Sequence, residues 1–372
     1  MLVVIDKSPL GRVQFFSLDT HDFDPAPGAM TSDAPLRFAI EQLAQGASLG
    51  REASRAAFDS IMGGHASPVQ IAALLMALRA RGETADEVAG AVLALRGAML
   101  RFETEDPDLL VDTCGTGGGR VGTLNISTAA AFVVAGAGVQ VAKHGNRSYT
   151  SRSGSADVLE ALGVNINLLP DAARAVLIAA GLTFLYAPTY HPAMRHAGPI
   201  RKELGVSTIM NLLGPLANPA GVLRQVIGVA ERSRAQLVAD TLAALKARHA
   251  LVVHAVVGMD EISPAGGTLV WEVKGGAVDR WELEPQAFGL ECEDLEGLAG
   301  GEPTENAGRI ERLLADGEGK ALRCAVVLNA AAALYVSAKG WSFEEAARRA
   351  AEALDSGAAS QVLVRLRKAA RS

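Results

Sequence analysis

The stretch DTCGTGGGRVGTLNIST, residues 112–128, places five glycines within eight residues before a compact Asn-Ile-Ser-Thr. An ordered glycine forfeits about 1 kcal/mol of conformational entropy against alanine, so this density implies that bare backbone is needed there. A glycine turn leading from a strand into a helix presents unblocked N–H groups and the positive end of the helix dipole, which together suit a phosphate or pyrophosphate. Gly117, Gly119 and Gly122 match G-x-G-x-x-G, but a dinucleotide site also needs an acidic residue about 20 positions on, where Lys143 stands instead. The P-loop pattern GxxxxGK[ST] is absent. The stretch therefore predicts a strand, an anion-binding turn, and a helix capped by Ser127-Thr128.

Outward from this stretch the same grammar repeats. Short apolar strands are predicted at 108–112, 139–142, 182–186, 224–230 and 250–256, with helices at 153–161, 171–180 and 234–248 between them. Such alternation implies parallel βαβ units with helices on both faces of the sheet. Residues 268–283 alternate about Gly275-Gly276 and predict a hairpin at the sheet edge. The tail from residue 323 is helical, with Ser342 and Glu345 as a capping box. Upstream, residues 35–100 carry only helical signals, including Ser67-Pro68-Val69-Gln70 and Thr84-Ala85-Asp86-Glu87, and predict about four helices.

The expected class is α/β, a small all-helical domain plus a larger α/β domain whose mostly parallel central sheet is flanked by helices. The interval YHPAMRHAGPIRKELGVSTIMNLLGPLAN, residues 190–218, contains no convincing strand and is expected to rejoin the helical unit. The domain expectation is thus an N-terminal extension at 1–33, poorly ordered or preceding a start at Met30; a helical domain at 34–101 with about 190–215; and an α/β domain at 102–189 with about 216–372.

Composition excludes several functions. The formal charge of −6 and the lack of a lysine/arginine cluster argue against a general nucleic-acid binder. Cys114, Cys292 and Cys324 are too few and too scattered for a disulfide framework or a CxxC metal site, which suits a reducing cytoplasm. No apolar run is long enough to span a bilayer, and no export signal opens the chain.

Several polar groups converge on the strand ends, where ligands bind in open parallel sheets. In KHGNRS, residues 143–148, Lys143 is either a solvated loop charge or a phosphate contact. His144 is either a helper at the site or an idle loop histidine; Asn146, Arg147 and Ser148 suit a carboxylate or phosphate, or an ordinary turn. Asp260-Glu261 after the strand 250–256 is either exposed surface or a Mg²⁺ site completed by substrate phosphates and water. Arg201 is either on a solvated helix face or a two-pronged clamp for a carboxylate.

These motifs closely resemble the anthranilate phosphoribosyltransferase family of tryptophan biosynthesis, within the nucleoside phosphorylase/phosphoribosyltransferase folds. The resemblance runs from about residue 35 to the C-terminus and is carried by GTGG (115–118), NIST (125–128), KHGNRS (143–148), SGSADVLEALG (153–163), HPAMRHAGPIRKELG (191–205), NLLGPLANP (211–219) and DE (260–261). It implies a homodimer joined through the helical domain, with phosphoribosyl pyrophosphate and anthranilate in the cleft between domains. By the resemblance, Gly115, Thr116, Gly117, Gly118, Thr123, Asn125, Ser127, Thr128 and Lys143 would hold phosphoribosyl pyrophosphate. Gly115, Asn146, Arg201 and His144 would hold anthranilate, and Ser127, Asp260 and Glu261 would hold Mg²⁺, with two ions expected per subunit. No side chain acts as a covalent nucleophile.

The chain departs from the family where Gly119 replaces the usual aspartate after GTGG, and where Val256-Val257 replace residues that are often polar. The alternatives are a non-catalytic nucleic-acid-binding relative and a pyrimidine nucleoside phosphorylase-like enzyme.

Overall fold

The computed structural model describes residues 33–119, 121–148 and 152–371, so the expectation for an N-terminal extension lies outside the described residues. Four helices open the fold, Ala34–Ala44, Arg51–Met62, Pro68–Arg81 and Ala85–Gly97. The two predicted capping boxes form. Ser67 Oγ accepts from Gln70 N at 3.3 Å while Ser67 N donates to Gln70 Oε1 at 2.9 Å, and Thr84 and Glu87 pair the same way at 3.3 and 2.8 Å. Gly90 lets helices Arg51–Met62 and Ala85–Gly97 cross closely, because a Cβ there would lie 2.4 Å from the Arg51 carbonyl oxygen.

Seven strands follow: β1 Val111–Gly115, β2 Val141–Gly145, β3 Leu182–Tyr186, β4 Arg224–Gly228, β5 His249–Ala255, β6 Thr268–Lys274 and β7 Ala277–Leu283. They form one sheet in the order β3-β2-β1-β4-β5-β6-β7. The first five are parallel, whereas β6 and β7 are antiparallel. Gly275 and Gly276, both at positive φ (59° and 86°), make the two-residue turn that the hairpin requires.

Alternate side chains of the central strands face opposite layers. Val226, Leu251, Val253 and Val270 pack with the alanine-rich helices Ile126–Gly136 and Lys320–Val336. Ile227, Ala250, Val252, Trp271 and Val273 face the other way, into a core shared with the helix Arg232–Ala244 and the four N-terminal helices. The interval 190–218 holds short helices and no strand, and Ala193, Ala197, Met210 and Leu213 enter that same shared core. A buried ion pair fastens the two parts, with Glu83 receiving Arg234 at 2.5 and 3.0 Å.

Strand boundaries differ from expectation near the glycine turn. The run predicted as a strand at 108–112 begins instead as a 3-10 turn, Pro107–Leu109, because Asp106 Oδ1 accepts the Asp108 N–H at 3.0 Å. The strand is shifted to Val111–Gly115 and runs into the first glycine. The helix after the loop starts at Ile126 with Asn125 as its N-cap, so Ser127 and Thr128 lie in its first turn and do not cap it.

Candidate functional site

Four parallel strands end at one place. Gly115 closes β1, Lys143 and His144 lie near the end of β2, Gly228 closes β4, and the Asp260-Glu261 turn follows β5. Lys143 and His144 are strand residues and not loop residues, paired in register with Phe184 and Leu185 of β3. The ladder buries both side chains despite their polarity. Thr113, Ser127, Gly228, Asp260 and Glu261 line one cavity at this edge.

The glycines divide by role. Gly117 and Gly118 adopt φ of 68° and 82°, with open space where side chains would be. Gly115 and Gly119 are close-approach positions instead: a Cβ would lie 3.2 Å from Asp260 Oδ2 at the first and 2.7 Å from Asp260 Oδ1 at the second. The loop thus wraps the Asp260 carboxylate. Thr116 N donates to Gly228 O at 2.9 Å, and Thr116 Oγ1 accepts from Ala230 N at 3.1 Å, which anchors the loop to β4. Gly228 is itself indispensable, since a Cβ there would lie 1.6 Å from the Asp260 carbonyl oxygen.

Glu261 Oε1 accepts the Ser127 N–H at 3.2 Å, while Oε2 is enclosed without a hydrogen-bond partner. Burial, reinforced by the neighbouring Asp260 carboxylate, pushes the Glu261 carboxyl up to about 8, against the opposing pull of Lys143 and the Ser127 N–H. Burial also raises Asp260. Two buried carboxyls in succession, one with an orphaned oxygen, fit a divalent cation that would satisfy that oxygen and favour the ionised form of both. No cluster of three or more His, Cys, Asp or Glu exists among the described residues, so such an ion would complete its shell from substrate and water.

Lys143 Nζ donates to the Thr113 carbonyl and lies 3.4 Å from Ser127 Oγ. Burial lowers its ammonium from the usual lysine range, with Asp112, Cys114 and Glu261 opposing. The structure therefore brings Lys143, Ser127, the glycines and the acidic pair together.

The remaining predicted residues fall in three places. Asn125 is engaged internally: Nδ2 donates to Ser153 O at 3.1 Å, and Oδ1 accepts from Asn306 Nδ2 at 3.1 Å. Thr123 makes a bridge with Ala299, and Thr128 is buried towards Phe132 and Phe184 with its hydroxyl unpartnered. His144 Nδ1 lies 3.1 Å from Gly214 O, and its ring centroid is 5.0 Å from that of His191. Asn146 accepts the Ala156 N–H at its carbonyl, 3.2 Å away, and Arg201 lies on the helix Gly198–Leu204, in the same interval as His191.

Several residues escaped the sequence reading. Asp112 is fully buried and accepts His144 N at 3.2 Å and Asn218 Nδ2 at 2.7 Å, so it sets the backbone that presents His144. His191, Gly228 and Asn329 were missed as well. Only Asn329 carried a visible signal, as an isolated amide within the apolar run AVVLNAAAALYV.

This geometry is that of an enzyme in which a small helical unit backs an α/β anion site. Residues 107–360 match the α/β domain of a glycosyl transferase family, and residues 37–99 match its helical bundle domain. An anthranilate phosphoribosyltransferase from Rubrobacter xylanophilus is 48% identical over 336 residues, covering 90% of this chain and 98% of that protein. The crystal structure of the Thermus thermophilus anthranilate phosphoribosyltransferase superposes with a TM-score of 0.85 at 42% identity, covering 90% of this chain and 99% of the other. The Saccharomyces cerevisiae enzyme, solved in complex with PRPP and Mg, gives a TM-score of 0.83 at 27% identity, covering 92% and 99%. The chain belongs to this glycosyl transferase family and, within it, to the anthranilate phosphoribosyltransferases, which are pentosyltransferase enzymes.

Proposed function

We propose that the chain transfers the phosphoribosyl group of phosphoribosyl pyrophosphate to the amine of anthranilate, giving N-(5-phosphoribosyl)anthranilate and pyrophosphate in tryptophan biosynthesis. The observation that carries this reading is the meeting of Glu261, the Ser127 N–H and Lys143 beside the glycine loop. The loop Gly115, Thr116, Gly117 and Gly118, anchored to β4 at Thr116, lies against the pyrophosphate, joined by Ser127 and Lys143, while Thr123, Asn125 and Thr128 support the loop and the helix start from behind. A phosphate arriving at Lys143 adds negative charge beside the lysine and so favours its protonated form against the effect of burial.

Ser127, Asp260 and Glu261 are the residues that would hold Mg²⁺, with two ions per subunit. Mg²⁺ supplies charge neutralisation on the departing pyrophosphate oxygens. The transition state at the ribose C1 is oxocarbenium-like, so preorganised amides and a lysine aimed at the leaving group stabilise charge as it develops. The anthranilate amine is the nucleophile and no side chain need attack. Gly115, Asn146, Arg201 and His144 align it against C1, which turns a two-molecule encounter into an effectively unimolecular step.

The helical unit, 34–101 with about 190–215, serves as the dimerisation domain, and 102–189 with about 216–372 as the phosphoribosyl-pyrophosphate domain. Exposed Val69 and Met76, two turns apart on one helix, and exposed Phe38 on its neighbour supply an apolar face for a second copy. A cytoplasmic location suits the three free cysteines, and no single described helix is long and apolar enough to cross a membrane.

The test is to mix the purified chain with phosphoribosyl pyrophosphate, Mg²⁺ and anthranilate and follow anthranilate fluorescence together with pyrophosphate. Loss of fluorescence with stoichiometric pyrophosphate is expected. Unchanged fluorescence rejects the reading, and phosphate-dependent cleavage of a pyrimidine nucleoside would put the phosphorylase alternative in its place.

A further inference from the structure

The acidic turn is held from behind by a residue outside all the motifs. Asn329 lies in the middle of the helix Lys320–Val336, is only 5% exposed, and lines the same cavity as Asp260 and Glu261. Its Oδ1 accepts the Ile262 N–H at 3.0 Å, and its Nδ2 donates to the Ile262 carbonyl at 2.8 Å. A second Nδ2 hydrogen bond, 2.9 Å to Ala325 O, ties the amide to its own helix. One side chain thus satisfies both backbone groups of the residue that follows Glu261. Only a carboxamide both donates and accepts in this way; aspartate lacks the donor and leucine lacks both.

Glu261 is therefore fixed at two points. Its carboxylate is set by the Ser127 N–H, and the peptide leaving its Cα is set by Asn329. Buried backbone groups must be paired, so removing the amide would leave Ile262 N–H and C=O unsatisfied and release the turn. Resting on the functional reading above, we infer that Asn329 is a positioning residue that holds the Asp260-Glu261 pair in register for the divalent cation of Mg²⁺–phosphoribosyl pyrophosphate. It touches neither substrate nor reacting atoms; it acts through the peptide of Ile262.

The experiment compares the full-length chain with Asn329→Leu, which keeps the heavy-atom count and branching and removes all three hydrogen bonds, and Asn329→Ser, which leaves room for a bridging water. Binding of Mg²⁺–phosphoribosyl pyrophosphate is measured by calorimetry without anthranilate, alongside Mg²⁺ titrations of the steady-state rate. For Asn329→Leu, the Kd and the half-maximal Mg²⁺ concentration should rise about tenfold, with kcat at saturating Mg²⁺ within about threefold and the KM for anthranilate unchanged. Asn329→Ser should shift the same two quantities less, and it carries the test alone if the leucine variant does not fold. A folded variant with wild-type Kd and Mg²⁺ midpoint overturns the inference, as does a loss shared equally by every kinetic constant. If the unmodified chain itself fails to bind Mg²⁺–phosphoribosyl pyrophosphate, the functional reading has failed and the inference falls with it.

Discussion

Ser127 and Glu261, 134 positions apart in the chain, meet through an N–H···Oε1 hydrogen bond of 3.2 Å. The bond joins the first turn of the helix Ile126–Gly136 to the turn after β5, and it uses the carboxylate oxygen that the cation would leave free. The start of that helix and the acidic pair are thereby held together at one end of the sheet.

Replacing that carboxylate separates chemistry from folding. Glu261→Gln keeps an acceptor for Ser127 and removes a buried ionisable group that lacks a full set of partners. The melting temperature should hold or rise, whereas kcat/KM for phosphoribosyl pyrophosphate should fall by about 10²-fold or more. Thermal unfolding and steady-state fluorescence measure the two. A variant that unfolds early, or one that keeps full activity, contradicts the assignment.

Gly119 stands against Asp260, where a Cβ added to the glycine would come within 2.7 Å of Oδ1. Gly119→Asp would bring a second carboxylate to that oxygen, adding repulsion without Mg²⁺ and a further ligand with it. Activity should persist with the half-maximal Mg²⁺ concentration lowered several-fold. An unchanged Mg²⁺ profile sinks this prediction.

The Glu83–Arg234 pair lies away from the cavity and tests the joint between the helical unit and the sheet. Both side chains are buried and paired at 2.5 and 3.0 Å. Glu83→Gln leaves Arg234 without its counter-charge, and breaking such a pair costs about 3–5 kcal/mol. The melting temperature should drop by several degrees while kcat at 25 °C changes little. Pairing it with Arg234→Leu should recover part of the loss.

Acid stability should report two of the buried histidines, His144 and His191. Burial, then the neighbouring His191 and Lys143, pushes His144 down to about 3, and burial pushes His191 to about 4. Both values lie below the unfolded value near 6.5, so the fold favours neutral imidazole. Their contribution is complete above that value and is lost as pH falls towards 4 and 3. At pH 5 the unfolded chain gains about 2 kcal/mol per histidine from proton uptake. Urea unfolding of wild type and His144→Asn at pH 7.5, 6 and 5 should show a shallower decline for the variant; parallel declines would refute it.

The glycine turn, both N-terminal capping boxes and the hairpin at Gly275-Gly276 were legible because each depends on neighbours within a few residues. Lys143 and His144 were not legible as strand residues, since KHG carries no strand signal and only pairing with Phe184 and Leu185 makes it one. The site divides the same way. The acidic pair and the lysine stand out as residue types, but the bond between Glu261 and Ser127, the Asp112–Asn218 support under His144 and the amide of Asn329 all join distant segments. Nothing periodic marks such contacts.

Where Gly228 meets the Asp260 carbonyl, only 1.6 Å would separate that oxygen from any added carbon. Main chain lies directly on main chain and makes this part of the cavity wall. Evolution cannot tune this floor by exchanging side chains. Any change in the shape of this cavity must come from the side chains around that contact, Thr113, Ser127 and Asn329 among them.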